Sequence, residues 1–390
     1  MTAAPTVLQV LPALESGGVE RGTLEIADAV IRAGGRALVA SAGGRLVAPL
    51  ERLGARHVTL PLRTKNPVGI LRNAGHLAAL ARAEGVAIIH ARSRAPAWSA
   101  LLAARRSGAH FVTTYHGTYN EGVPGKRLYN SVMARGERVI AISRFIAEHI
   151  RRVHGTDPAR IRIIPRGVDP ALFDPDGVAP ARIAALRGAW GVPPDRPVIL
   201  LPGRLARWKG QAVLVEAMAA VPAAVALLVG GGGPSLRAEL AARIAALGLQ
   251  GRVILAGHAD DMPAALLLGD IVLHASTDPE AFGRTVIEAQ AMARPVIAAD
   301  LGGPRETVEE GVTGWRVPPG DPAALAAAIR RVLALPPAER AAIGARARAR
   351  VLAGNTTAAM QAATLAVYRE LTQGTGQGTD QGEPAQGRAA

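Results

Sequence analysis

Short apolar runs rich in Val and Ile alternate with helix-length amphipathic stretches along most of the 390-residue chain, and this constrains the fold more than any other feature. In the first half the runs fall at residues 6–11, 37–41, 57–60, 86–90, 111–115, 139–142 and 161–164. In the second half they fall at 198–201, 225–229, 253–256, 271–274 and 296–299. Runs that bury both faces, spaced by helices such as the one expected over 20–33, build parallel sheets from strand–helix–strand units. There are too many for one ordinary open sheet, and the Pro-, Gly- and Asp-rich stretch 167–180 divides them. The expected architecture is α/β with two parallel-sheet domains, over 1–170 and 171–354. Beyond about Asp321 the pattern turns helical, with a last helix over 355–371. The segment 372–390 has almost no apolar content and is expected to be disordered.

Composition narrows the chemistry. The chain has no cysteine, which removes disulfides, thiol catalysis and Cys-based zinc sites and fits a reducing compartment. Residues 1–18 lack the basic start and cleavage site of a signal peptide. No uninterrupted apolar run nears the about 20 residues of a spanning helix. The expectation is a cytoplasmic protein, attached at most to a membrane face. Charge is uneven: residues 1–170 carry 24 Lys+Arg against 11 Asp+Glu, whereas 171–390 carry 21 against 20. The basic half implies either an acidic partner or a solvated basic surface. Only three cations are lysines (Lys65, Lys126 and Lys209), which singles each of them out.

In parallel α/β domains ligands bind outside the carboxyl ends of the strands, so the residues that follow each run carry the functional information. After the first run, Gly17 and Gly18 open a helix, where they serve either close approach of an anion or a tight turn. The spacing is not that of a dinucleotide-binding loop. His116-Gly117 follows the fifth run. In the second half, Arg204 and Lys209 lie five residues apart across a strand–loop–helix junction. An Arg fork with a compact ammonium there suits a diphosphate and its stabilisation as a leaving group; the alternative is ordinary surface cations on an exposed loop. Gly230–Gly233 reads either as a close approach to the partner domain or as a plain turn. Glu280 and Glu288 have seven residues between them, in Glu280-Ala281-Phe282-Gly283-Arg284-Thr285-Val286-Ile287-Glu288. A helix starting near Gly283 puts Glu280 on the loop before it and Glu288 on its second turn, with free N–H groups between them for an anion. Leu301-Gly302-Gly303-Pro304-Arg305-Glu306 is a further glycine loop on the same sheet edge.

Taken together, Gly17-Gly18, His116-Gly117, Gly203-Arg204…Lys209-Gly210, Glu280-x7-Glu288 and Gly302-Gly303…Glu306 resemble the retaining glycosyltransferases of family 4. The resemblance runs from about Thr6 to Tyr368. It implies the GT-B fold, two Rossmann-like domains facing a central cleft, with the last helix crossing back to the first domain. It also implies roles. Arg204 and Lys209 would contact the nucleotide diphosphate, and Gly18 would approach it from the other domain. Glu280 would hold sugar hydroxyls with backbone groups at Phe282, Gly283, Arg284 and Thr285. Glu288 would bind the ribose, and His116 would lie beside the transferred sugar. The usual Pro-Asn-Gly-Val-Asp segment reads Pro165-Arg166-Gly167-Val168-Asp169 here, which leaves the role of Arg166 open.

The resulting expectation is a retaining hexosyltransferase that uses a nucleotide sugar, GDP-mannose or a UDP-hexose. It would need neither metal nor cofactor. The basic first half points to an anionic, lipid-linked glycan acceptor such as lipopolysaccharide core, in envelope biosynthesis. Peripheral contact with the anionic inner face of the membrane would run through 126–138 and 143–154. One rival is a nucleotide-sugar epimerase of the same fold. The other is a nucleic-acid binder, disfavoured because aromatic residues make up only 3% and form no stacking array.

Overall fold

A computed structural model describes residues 5–15, 17–119 and 122–373. Seven strands form the first sheet: β1 (Val7–Val10), β2 (Ala37–Ser41), β3 (Arg56–Thr59), β4 (Ile88–Ala91), β5 (His110–Tyr115), β6 (Arg138–Ala141) and β7 (Ile161–Ile163). Six form the second: β8 (Val198–Pro202), β9 (Val225–Val229), β10 (Val253–Gly257), β11 (Ile271–His274), β12 (Val296–Ala299) and β13 (Trp315–Val317). The orders are β3-β2-β1-β4-β5-β6-β7 and β10-β9-β8-β11-β12-β13. Neighbouring strands pair in parallel, as in the register Val7↔Ala37 and Val7↔Ile88 on the two sides of β1. All but β13 coincide with the expected runs to within a few residues. β13 was not expected, because Trp315–Val317 is a three-residue run between Gly314 and Pro318 and reads as a turn; pairing with β12 makes it a strand.

Each sheet is buried on both faces. Along β1, Leu8 and Val10 point into one core with Ile89 and Phe111, and Val7 points into another with Val39, Ile88 and Val112. That second core is closed by the end of the chain. The helix Thr357–Gln373 places Met360, Val367, Tyr368 and Leu371 against Ile26 and Val30 of the helix Gly18–Arg32. Its polar groups are fitted too. Gln361 Nε2 donates to the Glu25 carbonyl at 2.6 Å, and Glu370 accepts from Arg138 and Arg162. Tyr368 Oη lies 2.6 Å from His90 Nδ1, whose other nitrogen lies 2.7 Å from Thr114 Oγ1. Burial, then the charges of Arg92 and Arg166, push His90 well below the ordinary imidazole range, so the ring is neutral. Thr372 and Gln373 thus belong to a helix rather than to a disordered tail, because this helix has a core to pack on; residues 374–390 lie outside the described residues.

Both sheets reverse strand order at an equivalent place, between β1 and β4 and between β8 and β11. At such a switch point the connections leave to opposite sides and open a crevice at the carboxyl ends of the strands. Gly17-Gly18 follows β1, Gly203-Arg204 follows β8, and the Glu280 loop follows β11. Topology alone therefore brings these segments to two crevices.

Tyr368→Phe removes one of the two partners of the buried His90 ring. The variant should lose about 1–3 kcal/mol of stability, seen as a lower urea midpoint with an unchanged slope. It should leave the far sheet's Trp315 environment untouched.

Candidate functional site

The two crevices face each other across a cleft of about 600 Å³. One wall comes from the first domain, with Gly18, His116, Gly117 and Arg166. The other comes from the second, with Arg204, Trp208, Glu280, Phe282, Gly283 and Arg284. Of the residues singled out in the sequence, Gly17, Lys209, Thr285 and Glu288 are not on this wall among the described residues.

Glu280 is held from three sides. Lys209 Nζ donates to its Oε2 at 2.6 Å, His274 Nε2 lies 2.5 Å from the same oxygen, and Ser276 Oγ donates to it at 3.2 Å. Burial opposes ionisation, but the His274 hydrogen bond and the fields of His274 and Lys209 prevail and hold the carboxyl well below the usual range. Among the described residues all three bonds end on Oε2, which leaves Oε1 to the cleft. The loop itself is fixed from beneath. Gly303 N donates to the Glu280 carbonyl at 2.8 Å. A Cβ on Gly302 would lie 2.4 Å from that carbonyl, and one on Gly303 would lie 2.4 Å from Phe282 Cα. The glycine pair is thus required by backbone crossing beneath the cleft wall.

Lys209 closes the 3₁₀ turn Arg207–Lys209, with its ammonium 4.4 Å from the Trp208 ring centroid. Its ammonium is paired with Glu280. Arg204 is exposed on the wall. Gly230–Gly233 turns against the Arg204 loop and not toward the other domain, with Leu205 N donating to the Gly231 carbonyl at 2.8 Å. The helix Arg284–Ala291 begins after Gly283 as expected and carries Glu288 on its second turn. Glu288 is buried between Arg284 (3.6 Å) and Arg21 of the first domain (3.9 Å). Burial pushes its carboxyl upward, against the pull of both guanidinium groups.

Several contacts cross the cleft. Arg284 Nη2 donates to Glu25 at 3.2 Å. Ser143 Oγ donates to the Ala281 carbonyl at 2.6 Å. Glu306 caps a helix of the opposite domain, its two oxygens accepting from Arg144 N and Phe145 N at 2.9 and 2.7 Å. These contacts engage the start of the stretch 143–154, which the sequence offered as a membrane contact, while Arg151 and Arg152 remain exposed. The start of the helix Arg144–His154 is sealed against the second domain, and its apolar face (Ile146, Ala147, Ile150) lies in the core.

His116 ends β5. Arg166 Nη2 lies 2.5 Å from its Nδ1, while its Nε2 is buried without a protein partner among the described residues. Arg166 is itself buried. Burial, followed by the charges of Arg92 and Arg284, lowers its guanidinium to about 9. Sequence reasoning did not single out Arg92, His274, Ser276 or the cross-cleft use of Glu306. The one available signal was Arg166 in a segment where Asn is usual. Among the described residues no group of three His, Asp or Glu side chains could hold a metal ion, and no helix is long and apolar enough to cross a membrane.

The chain has clear relatives. Residues 183–350 match the family "Glycosyl transferases group 1" and residues 16–172 match "Glycosyltransferase Family 4". A glycosyltransferase structure from Rickettsia africae is 38% identical, with a TM-score of 0.87, over 94% of this chain and 98% of that one. Anabaena HepE in complex with UDP-glucose is 27% identical, with a TM-score of 0.82, over 94% and 99% of the two chains. D-inositol 3-phosphate glycosyltransferase of Xylanimonas cellulosilytica is 36% identical over 248 residues, 62% of this chain. The chain spans 58% of that relative's length and 59% of its Kineococcus radiotolerans counterpart.

Glu306→Ala removes the cap that crosses the cleft. Loss of a helix N-cap costs about 1 kcal/mol, so the amides of Arg144 and Phe145 should exchange about fivefold faster by hydrogen-exchange mass spectrometry. Exchange within β1 should be unchanged.

Proposed function

The chain belongs to the GT-B glycosyltransferases of group 1 and family 4 type, and from that premise we propose that it transfers a hexosyl group, with retention, from a nucleoside diphosphate sugar to an anionic acceptor. One observation carries the reading. An ionised carboxylate, Glu280, is anchored through one oxygen and offers the other to a cleft that also holds Arg204, the start of the Arg284 helix and His116. Such a carboxylate takes sugar hydroxyls, and the cations and helix end take phosphate. The donor in this reading is a UDP-hexose ahead of GDP-mannose, since Anabaena HepE holds UDP-glucose.

Charge accumulates on the diphosphate as the glycosidic bond breaks. Arg204 meets it directly. Lys209 turns toward it from Glu280 when the sugar's hydroxyls engage that carboxylate, so that substrate binding releases the ammonium to the leaving group. Glu288 holds the ribose, and Gly18 lets the first domain approach the phosphates. Arg, Lys and the helix dipole supply the stabilisation, and the transfer is metal-independent. The leaving phosphate oxygen takes the acceptor proton, and the new bond forms on the same face.

The acceptor is anionic. The inositol phosphate glycosyltransferases named among the relatives and the basic first half both support that charge. A lipid-linked acceptor such as lipopolysaccharide core, reached at the inner face of the membrane, fits the outer surface of that domain. Val68 is 73% exposed in the stretch that holds exposed Lys65 and Arg72, and Leu128 is 65% exposed next to exposed Lys126 and Arg127. In this reading both stretches join the exposed Arg151 and Arg152 of 143–154 in meeting the membrane.

Two measurements test the reading. Lys209→Ala should lower turnover on the order of 10²–10³, with the protein still folded; near-native turnover contradicts the assignment. Flotation with anionic vesicles should capture the protein, and Leu128→Asp should weaken that capture; equal binding to neutral vesicles removes the membrane part. Isomerised donor without any acceptor would instead identify an epimerase.

A further inference from the structure

The first-domain wall of the cleft contains a hydrogen-bonding arrangement that the reading above does not use. Guanidinium groups have only N–H donors. Arg166 Nη2 at 2.5 Å therefore requires His116 Nδ1 to be the acceptor, with a lone pair and no proton. A doubly protonated ring would oppose two N–H groups at that distance. The ring proton then sits on Nε2. That nitrogen is buried, lacks a protein partner among the described residues, and belongs to a residue that lines the cleft. Arg166 cannot swing away easily. It is packed beneath Gly22, where an added Cβ would fall 2.6 Å from its Nη1, and beside Met360 of the last helix.

We propose that Arg166 is the positioning residue of this site: it fixes His116 as a neutral Nε2–H donor aimed into the cleft, to bond an oxygen of the sugar being transferred. The inference rests on the glycosyl-transfer reading for its ligand, but not for the state of the ring. The neutrality has a chemical use. A sugar that departs from its diphosphate passes through an oxocarbenium-like state that carries positive charge. An imidazolium beside it would repel that charge, while a neutral donor can hold a hydroxyl oxygen without opposing it. Every charged group packed against the ring from its own domain acts in the same sense. Burial is the largest cause of the missing proton on His116, and Arg166 after β7 and Arg92 after β4 add to it. Across the cleft, Arg204 and Arg284 share the wall with Glu280, whose charge is already taken up by Lys209 and His274.

The test is long-range proton–nitrogen NMR on protein labelled at its nine histidines, with His116 assigned by its loss in His116→Gln. In the native protein His116 should show a bare Nδ1 and a protonated Nε2 throughout pH 5–8. In Arg166→Met, which removes the donor and keeps the length, the ring should lose its fixed tautomer and show Nδ1–H and Nε2–H forms together, with burial and Arg92 still disfavouring a charged ring. The transfer rate of that variant should fall in step with the loss of the Nε2–H form, by the same factor throughout pH 5–8. Arg166→Lys, which keeps a donor and a charge, should restore the single Nε2–H form and with it the rate. A native His116 protonated on Nδ1, or one that titrates between pH 5 and 8, overturns the proposal, and that measurement does not depend on any variant folding. If the ring state is as stated but no nucleotide sugar is consumed, the glycosyl-transfer reading fails and the role of Arg166 in fixing the ring stands.

Discussion

A buried carboxylate must find donors, and Glu280 finds three on separate segments: Lys209 after β8, His274 at the end of β11, and Ser276 in the loop that follows. This demand ties the loops of one crevice into a single rigid unit. The Gly302-Gly303 crossing sets the height of that unit, and the helix Arg284–Ala291 starts directly from it. Were the carboxylate neutral, the ammonium, the imidazole and the hydroxyl would lose their common acceptor, and the wall of the cleft would lose its definition.

The opposite wall works on the reverse principle. Around His116 cations gather without a hydrogen-bonded acid: Arg166 and Arg92 are both buried, and Arg92 Nε and Nη2 lack partners among the described residues. Burial lowers both guanidinium groups, the charges of Arg92 and Arg284 lower Arg166 further, and the charge of Glu25 pulls both back up. One domain thus presents an anion neutralised by its own cations, and the other presents buried cations that Glu25 relieves only in part. Arg284–Glu25, Ser143–Ala281 and Glu306 at the Arg144 helix join the two walls.

Much of this was legible in the sequence because it rests on local periodicity. Runs of β-branched residues fixed the sheets, and reading the residue after each strand found His116, Arg204 and Glu280, all of which reach the cleft. The scarcity of lysine drew notice to Lys209, though not to its partner. What escaped is non-local. Lys209 and Glu280 are 71 residues apart, Arg166 and His116 are 50 apart, and Arg144 and Glu306 are 162 apart. No periodicity reports such pairings. β13 escaped for another reason: three residues between Gly and Pro carry too little pattern, and only β12 beside them makes a strand.

The return of the last helix to the first domain has a consequence for biogenesis. Val7, Ile26 and Val30 are covered by Met360, Val367 and Leu371, and His90 waits for a hydroxyl 278 residues downstream. During synthesis the early sheet must leave the ribosome with that flank uncovered, while the later one can complete its own packing first. The half translated first is therefore the half finished last, and it is exposed to chaperones and proteases until the closing helix arrives.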